Sequence, residues 1–508
     1  MSCREVCRNR WFRQRWVASS LLLTLAGCAV LGPDYQAPVL SETEVPAQWS
    51  SPAETSAQDE LSRNGPASTV SWWTELADPA LDQLVNEAFA SSPTLEAAVA
   101  KLRQSQSYTR QAKAAGSPVV DGSTSSERAA TDASGNGTTE SGLSINSSWE
   151  IDLFGALKRG KEGAQAREEA QRATLADARI SLAADVTDAY LSHRACQSQL
   201  RLSEEDLASR TATEKLTAHS VEVGFTAPYE GIRSMASVAE AKSRLTAARA
   251  KCERLENLLT RLTGVTRPKV AAILANKPTG LDRLPEPRHF SIAIPSKALM
   301  QRPDVRAAER RVAAASADIG LAEADRYPRL TLNGALGYSV EGSGGSGALS
   351  FGTWSFGPSL SLPIFDGGRR AANVRIAQSK YDEALADFKA KARSAIHEVE
   401  DALTRYAAAH ERAENARLAD KKYQQFFRAV EGRYREGACN LLELEDARRV
   451  RLDAEQTLLS VQQERLQAWV ALNRATGGGA QYDAQAPQSD ESATLASPAT
   501  PDKQPTSH

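Results

Sequence analysis

The sequence predicts a mainly α protein with a small β part, laid out as two structural repeats of one plan: short helix, β-hairpin, long helical hairpin. Three observations carry the prediction. Prolines 25 residues apart bracket a Pro-free, Ala-rich stretch twice, at Pro93/Pro118 and at Pro303/Pro328. After each bracket the apolar period changes from helical to alternating. Each hairpin then runs into a long proline-free stretch, residues 158–222 and 366–475, and the long helices turn once per half.

The chain of 508 residues begins with Arg4, Arg8, Arg10, Arg13 and Arg15, followed by a short apolar run from Val17 to Gly27. The run falls short of the roughly 20 residues that cross a bilayer as a helix, so residues 1–27 read as a secretory signal. Leu25-Ala26-Gly27-Cys28 resembles a bacterial lipobox, which makes Cys28 the lipid-modified first residue of the mature chain. The alternative is an ordinary signal peptide with an incidental cysteine. Residues 28–90 form a lipid-anchored N-terminal segment that leads to the first helix.

Repeat 1 covers residues 91–264 and repeat 2 covers 298–477. Proline suits the first turn of a helix and halts its continuation, so each bracket reads as one helix. In the second, Val305, Ala308, Val312, Ala315, Ile319 and Ala322 recur at spacings of three and four, one helix face. Beyond Pro328, Leu330, Leu332, Gly334, Leu336, Tyr338 and Val340 alternate, as do Trp354, Phe356, Pro358, Leu360, Leu362 and Ile364. A Gly/Ser loop, Glu341 to Ser350, separates the two runs. Between Pro118 and Phe154 the second strand is clear (Leu143, Ile145, Trp149, Ile151, Leu153). The first, near Val119 to Ser126, is polar and weakly patterned.

The phrase Phe154-Gly155-Ala156-Leu157-Lys158-Arg159 aligns with Phe365-Asp366-Gly367-Gly368-Arg369-Arg370, and a very long helix starts after each. Phe388, Ala392, Ile396, Val399, Leu403 and Tyr406 make a narrow apolar stripe; Leu245, Cys252, Leu255, Leu259 and Leu262 make another. Narrow stripes suit coiled-coil-like seams. The long helices turn at Val223-Gly224-Phe225-Thr226-Ala227-Pro228 and, 213 residues later, at Glu436-Gly437-Ala438-Cys439-Asn440. Thr263-Gly264 and Thr476-Gly477 close the halves at the same offset. Residues 265–297 form a Pro-rich linker, and 478–508 a Pro/Ser/Ala/Thr-rich tail read as disordered.

One-sided strands of roughly ten residues fit a transmembrane barrel. Such hairpins also occur in soluble proteins, packed on a helix. The signal, the lipobox and the lack of any helical span favour the membrane. Four strands leave two open edges in lipid, so several chains must close one barrel. Two chains give eight strands, filled by side chains; three give twelve and a lumen. The long helices then surround the same axis and extend the conduit away from the membrane.

A net charge of -2 gives no basis for nucleic-acid binding. No catalytic residues, metal ligands or cofactor site are expected: the six histidines are scattered without H-E-x-x-H, and no phosphate loop is present. Gly342-Ser343-Gly344-Gly345-Ser346-Gly347 reads as a surface loop. The carboxylate pairs Glu204-Glu205 and Glu398/Glu400 read as solvated helix faces. Among the cysteines, Cys196 and Cys252 are equidistant from Gly224 at the first turn. Antiparallel helices bring such positions level, and both lie on apolar stripes, so a disulfide is expected in an oxidising compartment. The alternative is two small buried thiols.

Several phrases carry a family resemblance: Gly32-Pro33-Asp34-Tyr35, Trp72-Trp73, Trp149-Glu150-Ile151-Asp152-Leu153-Phe154-Gly155, Arg302-Pro303-Asp304-Val305-Arg306-Ala307-Ala308-Glu309 and Arg433-Tyr434-Arg435-Glu436-Gly437. They cover nearly the whole mature chain, which resembles the TolC-like outer-membrane factors of the NodT/OprM lipoprotein branch. The resemblance implies a homotrimer, with a twelve-stranded β-barrel above a twelve-helix periplasmic α-barrel. It implies docking with a periplasmic adaptor and an inner-membrane pump, for efflux of small molecules. It also implies a periplasmic gate at Leu442, Asp446 and Arg449, in Leu441-Leu442-Glu443-Leu444-Glu445-Asp446-Ala447-Arg448-Arg449, where members resemble Y-L-x-L-L-D-A-Q-R. Arg448 in place of glutamine adds charge near the aperture. Adaptor docking falls on the tips, Gly224, Phe225, Thr226, Gly437 and Ala438. Pro228, Glu230 and Gly231 depart from the family's usual Glu-Leu-Asp-Val there. The other readings are a type I secretion exit duct and a periplasmic coiled-coil scaffold without a pore.

Overall fold

The structure, a computed structural model, describes residues 30–39, 45, 46, 48–50, 71–129, 137–275, 299, 301–343 and 346–478. The signal, Cys28, most of the linker and the tail lie outside the described residues. A 3-10 turn at Trp72–Leu76 precedes α1 (Pro79–Ser91). The first repeat is α2 (Pro93–Ala114), β1 (Val119–Ala129), β2 (Thr138–Ile151), α3 (Ala156–Glu222) and α4 (Pro228–Thr263). The second is α6 (Pro303–Ala324), β3 (Arg329–Ser343), β4 (Ser346–Ser361), α7 (Arg369–Arg435) and α8 (Leu441–Ala475). Between them α5 (Arg267–Ala275) stands inside the segment read as linker. It forms because Val270, Ile273 and Leu274 bury against the core.

The offset between repeats is 210 residues from α2 through the strands and 213 in the long helices. The difference lies at the strand-to-helix corner. Gly155 and Gly368 both precede the helix in the left-handed region, at φ 82° and 87°, a conformation that favours glycine. They are therefore equivalent. The phrase alignment that paired Phe154 with Phe365 is corrected by two residues: the second corner is longer. Asp366 stabilises it by accepting from the Gly368 and Arg370 amides at 3.0 and 3.1 Å.

The strands form one antiparallel sheet in the order β1-β2-β3-β4. The repeats join through β2 and β3, with Ile151 opposite Leu330 and Thr138 opposite Ser343. The register puts Leu143, Ile145, Trp149, Leu332, Leu336, Tyr338, Trp354, Phe356 and Leu360 on one face. The other face carries Ser144, Asn146, Ser148, Asn333, Gly337, Thr353 and Ser355. Pairing continues to Ser343 and Ser346, well into the expected Gly/Ser loop. Ladder bonds come from the backbone, so side-chain composition concealed this extension.

Helices α3 and α7 are 67 residues each, about 100 Å long at 1.5 Å per residue. Helix α4 lies along the distal part of α3, and α2 along the part next to the sheet, where Thr109 Oγ donates to the Ala164 carbonyl at 3.2 Å. Helix α6 was expected to bury one face. It packs between α3 and α7, so Ala307, Ala313, Ala314, Ser316, Ala317 and Gly320 are buried as well. Small residues allow this close approach on two sides.

Near mid-length, Trp72 packs edge-on to Trp73 and Trp469, 5.9 and 5.4 Å between centroids. With Leu81, Leu84, Tyr190, Leu191 and Leu259 they form the largest core. The Arg302 phrase ties helix ends together: its guanidinium donates to the Ala475 carbonyl and to Glu398, both at 2.7 Å. The N-terminal segment docks at the strand-to-helix corner. The Leu31 amide donates to the Phe154 carbonyl at 3.1 Å. Arg159 donates to the carbonyls of Leu31 and Gly32 and to Asp34 at 3.0, 3.1 and 2.9 Å. A Cβ on Gly32 would overlap Gly320.

Candidate functional site

Both helical hairpins end in the same turn. Gly224 and Gly437 take left-handed φ of 78° and 72° with open space around them, so backbone freedom rather than packing selects glycine. Their amides donate to the carbonyls of Val221 and Tyr434, at 3.1 and 3.0 Å. The Phe225 amide donates to Ser220 at 2.9 Å and the Ala438 amide to Arg433 at 2.8 Å. Helix α4 then starts on Pro228, whereas α8 starts on Leu441 and is capped by Asn440, whose side chain accepts from the Glu443 amide at 2.9 Å. At the first tip Phe225 is 89 % exposed; Thr226 is half-buried, and Gly437 and Ala438 are exposed. The free Cys439 thiol reaches the Val430 carbonyl at 3.5 Å. Burial, then the Glu443 carboxylate, push this thiol up.

Just above the second tip, Leu442, Asp446 and Arg449 share an exposed face of α8, opposite buried Leu441, Leu444, Ala447 and Arg448. Asp446 and Arg449 pair with each other within the chain; the pair is solvated.

Arg448 departs from expectation. It does not add charge to the exposed face: it is 1 % exposed. Its guanidinium donates to Thr213 and Ser209 of α3 at 2.8 and 3.0 Å and pairs with Glu445. Glu445 also accepts from Arg210 at 2.7 Å and from Ser237 at 3.1 Å. Asp206 completes the network, accepting from Arg210 at 2.8 and 3.0 Å and from Arg244 at 3.1 Å. Burial pulls the Arg448 guanidinium down, and Glu445 opposes it. The network joins α3, α4 and α8. Glu445, Arg210 and Asp206 were missed by sequence reasoning, although Glu445 and Arg448 are paired departures, acid for leucine and base for glutamine.

Cys196 and Cys252 are disulfide-bonded, Cα–Cα 5.6 Å, joining α3 to α4. No helix is long and apolar enough to cross a membrane, among the described residues.

The family model described as outer membrane efflux protein matches residues 84–265 and 294–478. The chain belongs to this family. Nodulation protein T of Rhizobium leguminosarum bv. trifolii is 30 % identical over 479 residues, covering 92 % of this chain and 97 % of that protein. Antibiotic efflux pump outer membrane protein ArpC of Pseudomonas putida is 31 % identical over 490 residues, 93 % and 97 %. Among solved structures, the outer-membrane channel OprN superposes with a TM-score of 0.78 at 29 % identity, covering 88 % of this chain and 99 % of that one. The chain is thus an outer-membrane efflux protein of the NodT/OprM branch. The two-faced sheet is its membrane part, and the helical hairpins carry the site away from the membrane.

Proposed function

We propose that three copies close one twelve-stranded barrel, β1 of each pairing with β4 of the next, and that the helical hairpins continue it as an α-barrel into the periplasm. The observation that carries this is the sheet: β2, β3 and β4 place their large apolar residues, Leu349 and Phe351 apart, on one face, the other face is rich in Ser, Thr, Asn and Gly, and β1 and β4 stand at its edges. Unpaired edges are costly in lipid, and closure removes them. From Leu330 to Val340 the alternation covers eleven residues of β3, about 36 Å along the strand and roughly 25 Å of height when tilted.

Cys28 carries the lipid anchor in this reading. Val30 packs against Gly155 at the strand-to-helix corner. Cys28 itself stands two positions before Val30, outside the described residues. More than one chain is required for stable anchoring.

Leu442, Asp446 and Arg449 form the periplasmic constriction. The tips, with Phe225 foremost, dock a periplasmic adaptor that links to an inner-membrane pump, and small molecules leave through the lumen. The test is single-channel recording in planar bilayers. The expected result is a nearly closed wild type, with Asp446→Ala and Arg449→Ala conducting more; a wild type and variants that never conduct would remove the pore reading.

A further inference from the structure

The repeat predicts a joint that one chain alone does not contain. Within the chain, α8 packs on α3. At the tip this joint is Arg448 against Ser209 and Thr213, and Glu445 against Arg210. The symmetry-related partners are α4 and α7, because α3 and α7, and α4 and α8, correspond at an offset of 213. Among the described residues, α4 and α7 make no extended contact with each other.

Shifting the intrachain joint by 213 gives the matching positions. Arg210 becomes Tyr423 and Thr213 becomes Phe426 on α7; Glu445 becomes Ile232 and Arg448 becomes Met235 on α4. Four of the five positions of the polar joint map onto apolar side chains; the fifth, Ser209, maps onto exposed Lys422. All four are exposed: Tyr423 43 %, Phe426 49 %, Ile232 69 % and Met235 63 %. Isolated exposed apolar residues need no explanation, but four at the positions of a buried joint do.

We infer that Tyr423 and Phe426 of one copy pack on Ile232 and Met235 of the next, forming an apolar seam between chains that alternates around the ring with the charged seam within each chain. The inference rests on the trimer reading above and adds its periplasmic contacts. A ring of six halves needs six joints; three are intrachain, and the open faces of α4 and α7 must supply the other three. An apolar seam suits this role, since its formation between chains desolvates no charge.

The test is site-directed cross-linking in membranes, in a Cys439→Ser background. A short bismaleimide is used, because it bridges thiols over a wider range of Cα separations than the roughly 4.4–6.8 Å of a disulfide. Met235→Cys with Phe426→Cys is expected to give covalent trimers in denaturing gels, and each single variant none. Ile232→Cys with Tyr423→Cys is an independent second pair. If native mass measurement shows trimers but neither pair yields covalent trimers, the inference is overturned while the assembly stands. If the protein is monomeric, the trimer reading falls and the seam with it.

Discussion

Arg448→Ala is the most informative single perturbation at the tips. Arg448 is 1 % exposed and bonds Ser209, Thr213 and Glu445. Breaking a buried ion pair costs about 3–5 kcal/mol. Here Glu445 keeps Arg210 at 2.7 Å and Ser237 at 3.1 Å, so the lower end, about 3 kcal/mol, applies. That loss acts on the start of α8, which the network ties to α3. Hydrogen exchange of the α8 amides from Leu444 to Leu452, in the detergent-extracted protein, should accelerate roughly a hundredfold, since each 1.4 kcal/mol is a factor of about ten. Glu445→Ala should do at least as much, because it leaves Arg210 and Arg448 without their shared carboxylate. Glu445→Leu combined with Arg448→Gln should recover about 1–3 kcal/mol over the sum of the single losses, with Arg210 still paired to Asp206. Wild-type exchange in Arg448→Ala would refute the claim that this network holds the helix.

Four further outcomes are expected. Cys28→Ser should abolish palmitate labelling; undiminished labelling would sink the anchor. Denatured, unreduced mature protein should show one reactive thiol, Cys439, and not three. The Cys196–Cys252 link closes a loop of 56 residues, worth about 4 kcal/mol in the chain-entropy treatment, so reduction should lower the unfolding temperature. Burial, with Asp185 nearby, raises the Asp188 carboxyl to about 7 while Arg474 opposes it. A raised folded-state value means that stability is fully present below the unfolded value near 4 and is lost as pH rises through 7. Asp188→Asn should flatten the pH profile of thermal unfolding across that window; an unchanged profile would contradict the assignment.

The helical plan was legible because prolines and glycines punctuate it: Pro93, Pro228 and Pro303 start helices, and Gly224 and Gly437 end them. The strands were legible where apolar residues alternate, as from Trp354 to Leu360, and not at Ser343 and Ser346, where backbone pairing continues without a side-chain signal. The exposed trio Leu442, Asp446 and Arg449 was found by resemblance, and the structure places them on one face. The burial of Arg448 was not legible. A charged residue on a helix is usually solvated, and the partners that bury it stand on α3, more than 230 positions away. The corner at Asp366 was misaligned because Phe365 imitates Phe154, while the conformation that matters belongs to Gly368.

In the proposed assembly three copies of this chain surround one lumen. Native mass measurement of the mature, detergent-extracted protein decides whether they do. A single species of three chains, each carrying the mass of its acyl groups, is the expected result. A monomer or dimer that persists across detergents and lipids would contradict it, since one or two four-stranded sheets do not enclose a channel.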